Sequence, residues 1–405
     1  MRMCKLFVLA DDLTGALDTA IQFVSRHIST CVISDAAESI RSVAETCTVL
    51  VLNLPTRHMS AQEAAHAVSF AVRQALDAGI PFLYKKTDSV LRGNVGAELT
   101  AMLDAAGADR LDFFPAFPAL GRTTQNGVQM LHGVPIHETD FRSDPFEPVT
   151  ESSVPAVIAR QSDAACRVIR AGEAPSDLPK RCICVYDADT DDSLLQAAQS
   201  ANEHGGLRLM AGCAGLAGAV GQVIGLRGEP AKDFTPYRTL LTVCGSINPV
   251  TEKQLRCAQK HGFLRFTLTP EQRVDAANLP DSLVTSILDA CRAGTPVIVD
   301  VFSGAGAPVA SQRETISRTL GALTARLWRS GLRATILATG GDTLLAALEA
   351  LHCQSIRPVC EMRPGVVFSE CICGAERVPV ISTAGGFGEE TLLSDIASEL
   401  AERGI

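Results

Sequence analysis

Two hydrophobic patterns alternate along the chain. Short, nearly unbroken apolar runs, of the kind buried on both faces of a parallel sheet, are followed by longer stretches with apolar residues at helical spacing. The runs predict strands over 5–10, 30–34, 48–53, 80–84, 112–114, 182–187, 207–211, 239–243, 263–268, 295–301, 334–338 and 378–382. Helices are expected from 13 to about 24, from 60 to 78 with Gly79 as the stop, and over 95–103, 213–224 and 344–351, with others from 193, after 251 and after 390. Repeated strand–helix alternation gives an α/β fold with mainly parallel sheets. The stretch 128–135 reads as a small hairpin, and 137–146, with Asp140, Arg142 and Asp144, as an irregular polar segment. The stretch 226–237 holds Gly228, Pro230 and Pro236 among mixed charges and reads as a junction. It divides the 405 residues, too many for one typical core, into domains 1–230 and 231–405.

The polar residues concentrate where strands give way to helices, the edge at which open α/β sheets take their ligands. Asp11-Asp12-Leu13-Thr14-Gly15 follows the first strand; two carboxylates there are costly unless one caps the next helix and the other meets a ligand. Arg57 follows the third strand, and a guanidinium is suited to gripping a planar carboxylate. The richest turn is Lys85-Lys86-Thr87-Asp88-Ser89-Val90-Leu91-Arg92-Gly93-Asn94, fit for an anionic, hydroxyl-rich small molecule. A further loop, after 112–114, carries Arg122, Thr123, Thr124, Gln125 and Asn126 as its polar payload. In the second half three strands end in small-residue turns: Gly245-Ser246, Gly340-Gly341-Asp342-Thr343 and Gly385-Gly386-Phe387-Gly388. Small residues admit a phosphate to the backbone and helix N-termini offer it free N–H groups, so these turns suit a nucleotide.

Composition narrows the partners. A net charge of −9 provides no bulk attraction for nucleic acid or a membrane surface, so an anionic substrate must be held by local cations. No apolar run is long enough to span a bilayer. The 14 cysteines are scattered through apolar segments without zinc spacing, which suits reduced thiols in a cytoplasmic protein. Neither the P-loop nor the G-x-G-x-x-G signature occurs, which counts against the alternative of a nucleotide-dependent sugar-acid dehydrogenase. A non-catalytic sensor would need an output surface that this charge balance does not supply. A phosphate-binding domain beside an acid-binding one suggests phosphoryl transfer in the cleft between them, with Asp88 or Asp12 accepting the hydroxyl proton and Mg2+ bridging the phosphates.

These motifs have a known counterpart. Ala10-Asp11-Asp12-Leu13-Thr14-Gly15-Ala16, Lys86-Thr87-Asp88-Ser89, Arg92-Gly93-Asn94 and the terminal Gly385-Gly386-Phe387-Gly388 resemble, in the same order over nearly the whole chain, the four-carbon acid sugar kinase family. The resemblance implies an N-terminal sugar-acid-binding domain, a C-terminal ATP-binding domain and phosphate transfer to a 4-hydroxyl. It implies that Asp11, Arg57, Lys86, Thr87, Asp88 and Ser89 hold the acid, and that Ser246, Gly340, Gly341, Asp342, Thr343 and Gly385 hold ATP. D-threonate is the expected substrate, with 3-oxo-tetronate or erythronate as alternatives; a homodimer is kept open. Similar members often carry a lysine before the last glycine run, where this chain has Thr383-Ala384.

Overall fold

The structure, a computed structural model, describes residues 4–34, 39–143, 147–228, 234–302 and 312–404; the expected roles of Asp144 and Pro230 therefore lie outside it. The chain divides into two compact units, Met1–Ala231 and Lys232–Ile405.

The first unit contains β1 (Leu6–Ala10), α1 (Leu13–Val24), β2 (Thr30–Ile33), α2 (Ser39–Ala44), β3 (Val49–Asn53), α3 (Ala61–Asp77), β4 (Phe82–Lys86), α4 (Val95–Ala105) and β5 (Arg110–Phe114). A small antiparallel sheet follows, β6 (Arg122–Gln125), β7 (Val128–Leu131) and β8 (Val134–Pro135). The unit closes with α5 (Val154–Ala159), β9 (Ala165–Ile169), β10 (Cys182–Tyr186), α6 (Asp191–Glu203), β11 (Leu209–Gly212) and α7 (Ala214–Val223). Its main strands run in the order β2-β3-β1-β4-β11-β5-β10-β9 and pair in parallel. Such strands are buried on both faces, as the unbroken apolar runs require: every residue of β1, β2 and β3 is buried. Helix starts are chemically marked. Asp12 caps α1 by accepting from Gly15 N at 2.9 Å, and Ser60 and Glu63 form a reciprocal capping box on α3. The chain leaves β1 toward β2 and β3 on one side and later toward β4 on the other. The switch point, where a doubly wound sheet opens a crevice, thus lies at the ends of β1 and β4.

The second unit contains β12 (Leu240–Cys244), α8 (Pro249–Lys260), β13 (Leu264–Thr267), α9 (Asp281–Arg292), β14 (Val297–Asp300), α10 (Arg313–Arg329), β15 (Thr335–Thr339), α11 (Gly341–Ala350), β16 (Ser355–Arg363), β17 (Val366–Cys373), β18 (Glu376–Thr383) and α12 (Leu392–Arg403). The order β13-β14-β12-β15-β18 is parallel, and β17 and β16 continue it antiparallel. Here too the order reverses at the central strand, β12, beside β15. Among the described residues no helix is long and apolar enough to cross a membrane. All 14 cysteines are free.

One expected boundary moves. The strand read as 80–84 runs on to Lys86, so the two lysines belong to β4 and not to the turn. Period-2 geometry then sends them to opposite faces.

Candidate active site

That alternation separates the roles of Lys85 and Lys86. Lys85 is fully buried; its Nζ lies 3.2 Å from Glu98 Oε2 on α4 and donates to its neighbour's carbonyl at 3.0 Å. Thr56 donates to the same Glu98. This ion pair ties β4 to α4 and to the loop after β3. Lys86 reaches the other face, where a Cβ on Gly15 would lie 2.6 Å from its Nζ and 2.5 Å from Asp12 Oδ1. Glycine at the start of α1 is what admits the lysine.

Around Lys86 the turns after β1, β3 and β4 form one charge cluster. Arg57 donates from Nε to Asp11 at 2.8 Å and from Nη1 to Asp12 at 2.9 Å, and its Nη2 stands 3.8 Å from Asp88. The expected carboxylate clamp is therefore turned toward the protein's own aspartates. Arg92 holds Asp88 with two bonds, 3.0 Å from Nε and 2.9 Å from Nη2, and the N–H groups of Val90 and Arg92 donate to the same carboxylate at 3.1 and 3.3 Å. The turn holds Leu91 at φ 64°, strained for a residue with a side chain, and Gly93 at φ 85°, which glycine adopts freely. Asn94 anchors the turn by donating to the carbonyls of Thr56 and Met59 at 3.0 and 2.9 Å.

Burial alone would raise the carboxyl pKa of Asp88, but the Arg92 hydrogen bonds and the charges of Arg57, Arg92 and Lys86 hold it well below the usual carboxylate range. Burial likewise opposes ionisation of Asp11, and Lys85, Arg57 and Lys86 reverse the balance, so its pKa is lowered. Burial would discharge Lys86; Asp11 and Asp12 outweigh it and its pKa is raised. These balances favour the charged forms of Asp11, Asp88 and Lys86 at neutral pH.

Buried polar atoms without a hydrogen-bond partner are rare in folded proteins. Here Asp11 Oδ1, Thr87 Oγ1 and Asn53 Oδ1, at the C-terminal edge of the parallel sheet, are such atoms, as is Arg122 Nε at the start of the small antiparallel sheet. The sequence reading had Asp11 and Thr87 among its site residues but not Asn53 or Arg122. It also left out the turn after β11, whose Gly212 accepts from Thr87 N at 2.8 Å. Ser89 is half-buried, its carbonyl held by Gln129 of the hairpin at 3.0 Å.

In the second unit the three small-residue turns meet. A Cβ on Gly245 would stand 2.5 Å from Thr343 Oγ1, one on Gly385 2.5 Å from Ser246 Oγ, and one on Gly386 2.4 Å from the Asn248 amide. Gly386 N donates to Thr251 Oγ1 at 2.9 Å, and Gln254 Nε2 gathers the carbonyls of Phe387, Gly388 and Glu389 at 2.8–3.1 Å. Gly340, at φ 97°, opens α11, leaving Gly341, Asp342 and Thr343 in its first turn. Asn248 caps α8 through Val250 N at 2.9 Å, with Pro249 at the first helical position. Asp342 is paired with Arg313, so its carboxylate is engaged. The N-termini of α8 and α11 and the glycine turns, packed closely against the Thr343, Ser246 and Asn248 side chains, bring together backbone N–H groups and hydroxyls of the kind that suit phosphate oxygens. Among the described residues no three His, Cys, Asp or Glu side chains are grouped to hold a metal ion.

Known proteins match both halves. Residues 6–220 match the family described as a sugar-binding N-terminal domain, and residues 241–393 the one described as a nucleotide-binding C-terminal domain. A D-threonate kinase of Bordetella bronchiseptica is 32% identical, over 98% of this chain and 97% of its own. One of Salmonella typhimurium is 30% identical, over 96% and 97%. More distant relatives carry the names D-erythronate kinase and 3-oxo-tetronate kinase. The solved structure of a Haemophilus influenzae protein shares the fold with a TM-score of 0.76 at 21% identity, covering 98% of this chain and all of that one. Full-length matches at this level, together with the two site geometries, lead to one conclusion: the chain belongs to the four-carbon acid sugar kinase family and is a sugar-acid kinase.

Proposed function

We propose that the protein transfers the γ-phosphoryl group of ATP to the 4-hydroxyl of a four-carbon sugar acid, with D-threonate as the substrate. The observation that carries this reading is the pair of buried, unpartnered acceptors, Asp11 Oδ1 and Thr87 Oγ1, beside a preassembled charge cluster. Those atoms suit the hydroxyls of a polyol acid, whose hydrogen bonds would complete them. Lys86, Asp88 and Ser89 border the same turn, and Arg57 fixes the aspartates.

Of the two candidate bases, Asp12 suits the role better. Asp88 already accepts four hydrogen bonds and is a weakened base. The Asp12 side chain is 32% exposed and its Oδ2 has one partner, Arg57. It would receive the proton of the 4-hydroxyl while Asp88 keeps both arginines in place.

ATP supplies the phosphoryl group, and the glycine cradle of the second unit fits it. Ser246, Gly340, Gly341, Thr343 and Gly385 would surround its phosphates, with Asp342 keeping Arg313 at the mouth of α11. Mg2+ would be carried chiefly by phosphate oxygens and water, as this ion prefers. Free thiols throughout suit a cytoplasmic enzyme.

The test is ADP release with Mg2+ across D-threonate, L-threonate, D-erythronate, L-erythronate and 3-oxo-tetronate. Turnover greatest with D-threonate is expected. Preference for another of the five would replace the substrate, and silence with all five would overturn the reading.

A further inference from the structure

Both guanidiniums of the charge cluster are already committed to aspartates. Asp11, Asp12 and Asp88 are matched by Arg57, Arg92 and Lys86, and Glu147, which feels the charges of Arg57 and Arg92, adds a fourth carboxylate beside them. Arg57 spends Nε and Nη1 on aspartates, and Arg92 spends Nε and Nη2. A sugar acid adds one more negative charge to a buried site, which is costly unless another cation meets it. The residue that answers this need is on the hairpin.

Arg122 opens β6. Its backbone is locked to Phe117, donating and accepting at 3.1 and 2.7 Å, and its Nη1 donates to Leu120 O at 3.0 Å. Its Nε is buried without a partner. Two residues on, Thr124 pairs across the hairpin with Gln129 and donates to it at 2.7 Å; Gln129 in turn donates to Ser89 O and Pro115 O, both at 3.0 Å. Strand alternation sets Arg122 on the same face as Thr124. That face is the one fastened to the turn of Thr87, Asp88 and Ser89. A second link runs through Cys213, whose thiol donates to Ala116 O at 3.1 Å and senses the charges of Lys86, Arg122 and Asp88 together. Arg122 thus belongs to the Lys86 side of the site, on the flank away from Arg57.

We propose that Arg122, acting with Lys86, receives the carboxylate of the sugar acid and makes the site select an anionic substrate over a neutral polyol. The inference rests on the kinase reading above. The guanidinium offers its unsatisfied N–H to a carboxylate oxygen, and Lys86 offers a compact charge from the strand beneath.

The experiment compares wild type, Arg122→Gln and Arg122→Lys in steady-state kinetics. The probes are the acid that the wild type turns over and its neutral carboxamide, with ATP varied separately and melting followed for each variant. Arg122→Gln is expected to raise KM for the acid about ten- to a hundredfold, the scale of one charge-assisted hydrogen bond. KM for ATP should not change, and the carboxamide should be used equally well by variant and wild type. Arg122→Lys should fall between them, and serves as the reading if the Gln variant melts early. An unchanged acid KM in the variant that folds, an equal loss with the carboxamide, or a rise in ATP KM with the acid KM intact would each overturn the proposal. Wild type that turns over no acid would overturn the kinase reading itself, and so is distinguishable from those outcomes.

Discussion

At the strand ends of the first unit, charged side chains fill the space: Arg57 bridges Asp11 and Asp12, and Arg92 grips Asp88. At the strand ends of the second, the walls are Gly245, Gly340, Gly385 and Gly386, and the polar groups are backbone N–H groups and hydroxyls. Both lie where a doubly wound sheet reverses its strand order. On the function proposed above, the difference follows from what each would recognise. A small acid offers few atoms, so each contact must be fixed in direction by buried, mutually oriented side chains. A polyphosphate offers many equivalent oxygens, and close backbone approach with two helix N-termini suffices. One site is specified by what is there, the other by what is left out.

The sharpest way to break this contrast is Asp88→Asn. It leaves two half-buried guanidiniums facing a buried neutral amide, a loss on the order of 3 kcal/mol when such a pair is broken. Turnover with the acid should fall at least about a hundredfold in kcat/KM, while ATP binding stays intact. Retained turnover, measured by ADP release, would show that the cluster is structural decoration.

Gly15→Ala is a subtler probe, because it changes no charge. Alanine favours a helix over glycine by up to about 1 kcal/mol. Yet its Cβ would crowd Asp12 Oδ1 at 2.5 Å and Lys86 Nζ at 2.6 Å. Activity should drop about tenfold, the size of one weakened hydrogen bond, with little change in melting temperature. Unchanged kinetics would mean that both side chains move aside freely and that their positions are not critical.

The smallest effect is in pH. Asp11 and Asp88 titrate below their unfolded values, so they stabilise the fold above an ordinary aspartate pKa of about 4 and lose that contribution as pH falls through their lowered values. Lys86 has a raised pKa, so its contribution is complete below an ordinary lysine value of about 10 and is lost above it. Melting temperature should be flat between these limits and fall at both ends, with a shallower acid limb in Asp88→Asn. An acid limb of equal depth in the variant would remove Asp88 from the account.

Much of this was legible in the sequence. Unbroken apolar runs marked the parallel strands, and the Asp11-Asp12, Lys86–Ser89 and glycine turns marked the edges that matter. What the sequence hid is instructive. The boundary of β4 was misread because lysines look like loop residues; Lys85 is buried because Glu98, thirteen positions along the chain, neutralises it. Strand β16 passes unnoticed because it pairs antiparallel with β17 and carries a mixed burial pattern in place of an apolar run. Arg57 has the chemistry of a substrate clamp, and the pattern alone could not show that three aspartates would share it. Arg122 stood among five polar loop residues with nothing to single it out. Its importance comes from a hairpin fold and a missing partner, and neither is a property of local sequence.

The division of labour is tested most directly by calorimetric titration of the acid and of ATP, separately, into wild type, Asp88→Asn and Gly385→Val. The valine would drive its Cβ to within 2.5 Å of Ser246 Oγ and fill the cradle. The account predicts that Asp88→Asn loses the acid and keeps ATP, and that Gly385→Val loses ATP and keeps the acid. Loss of the acid in Gly385→Val, or of ATP in Asp88→Asn, by a variant that melts like wild type would contradict it.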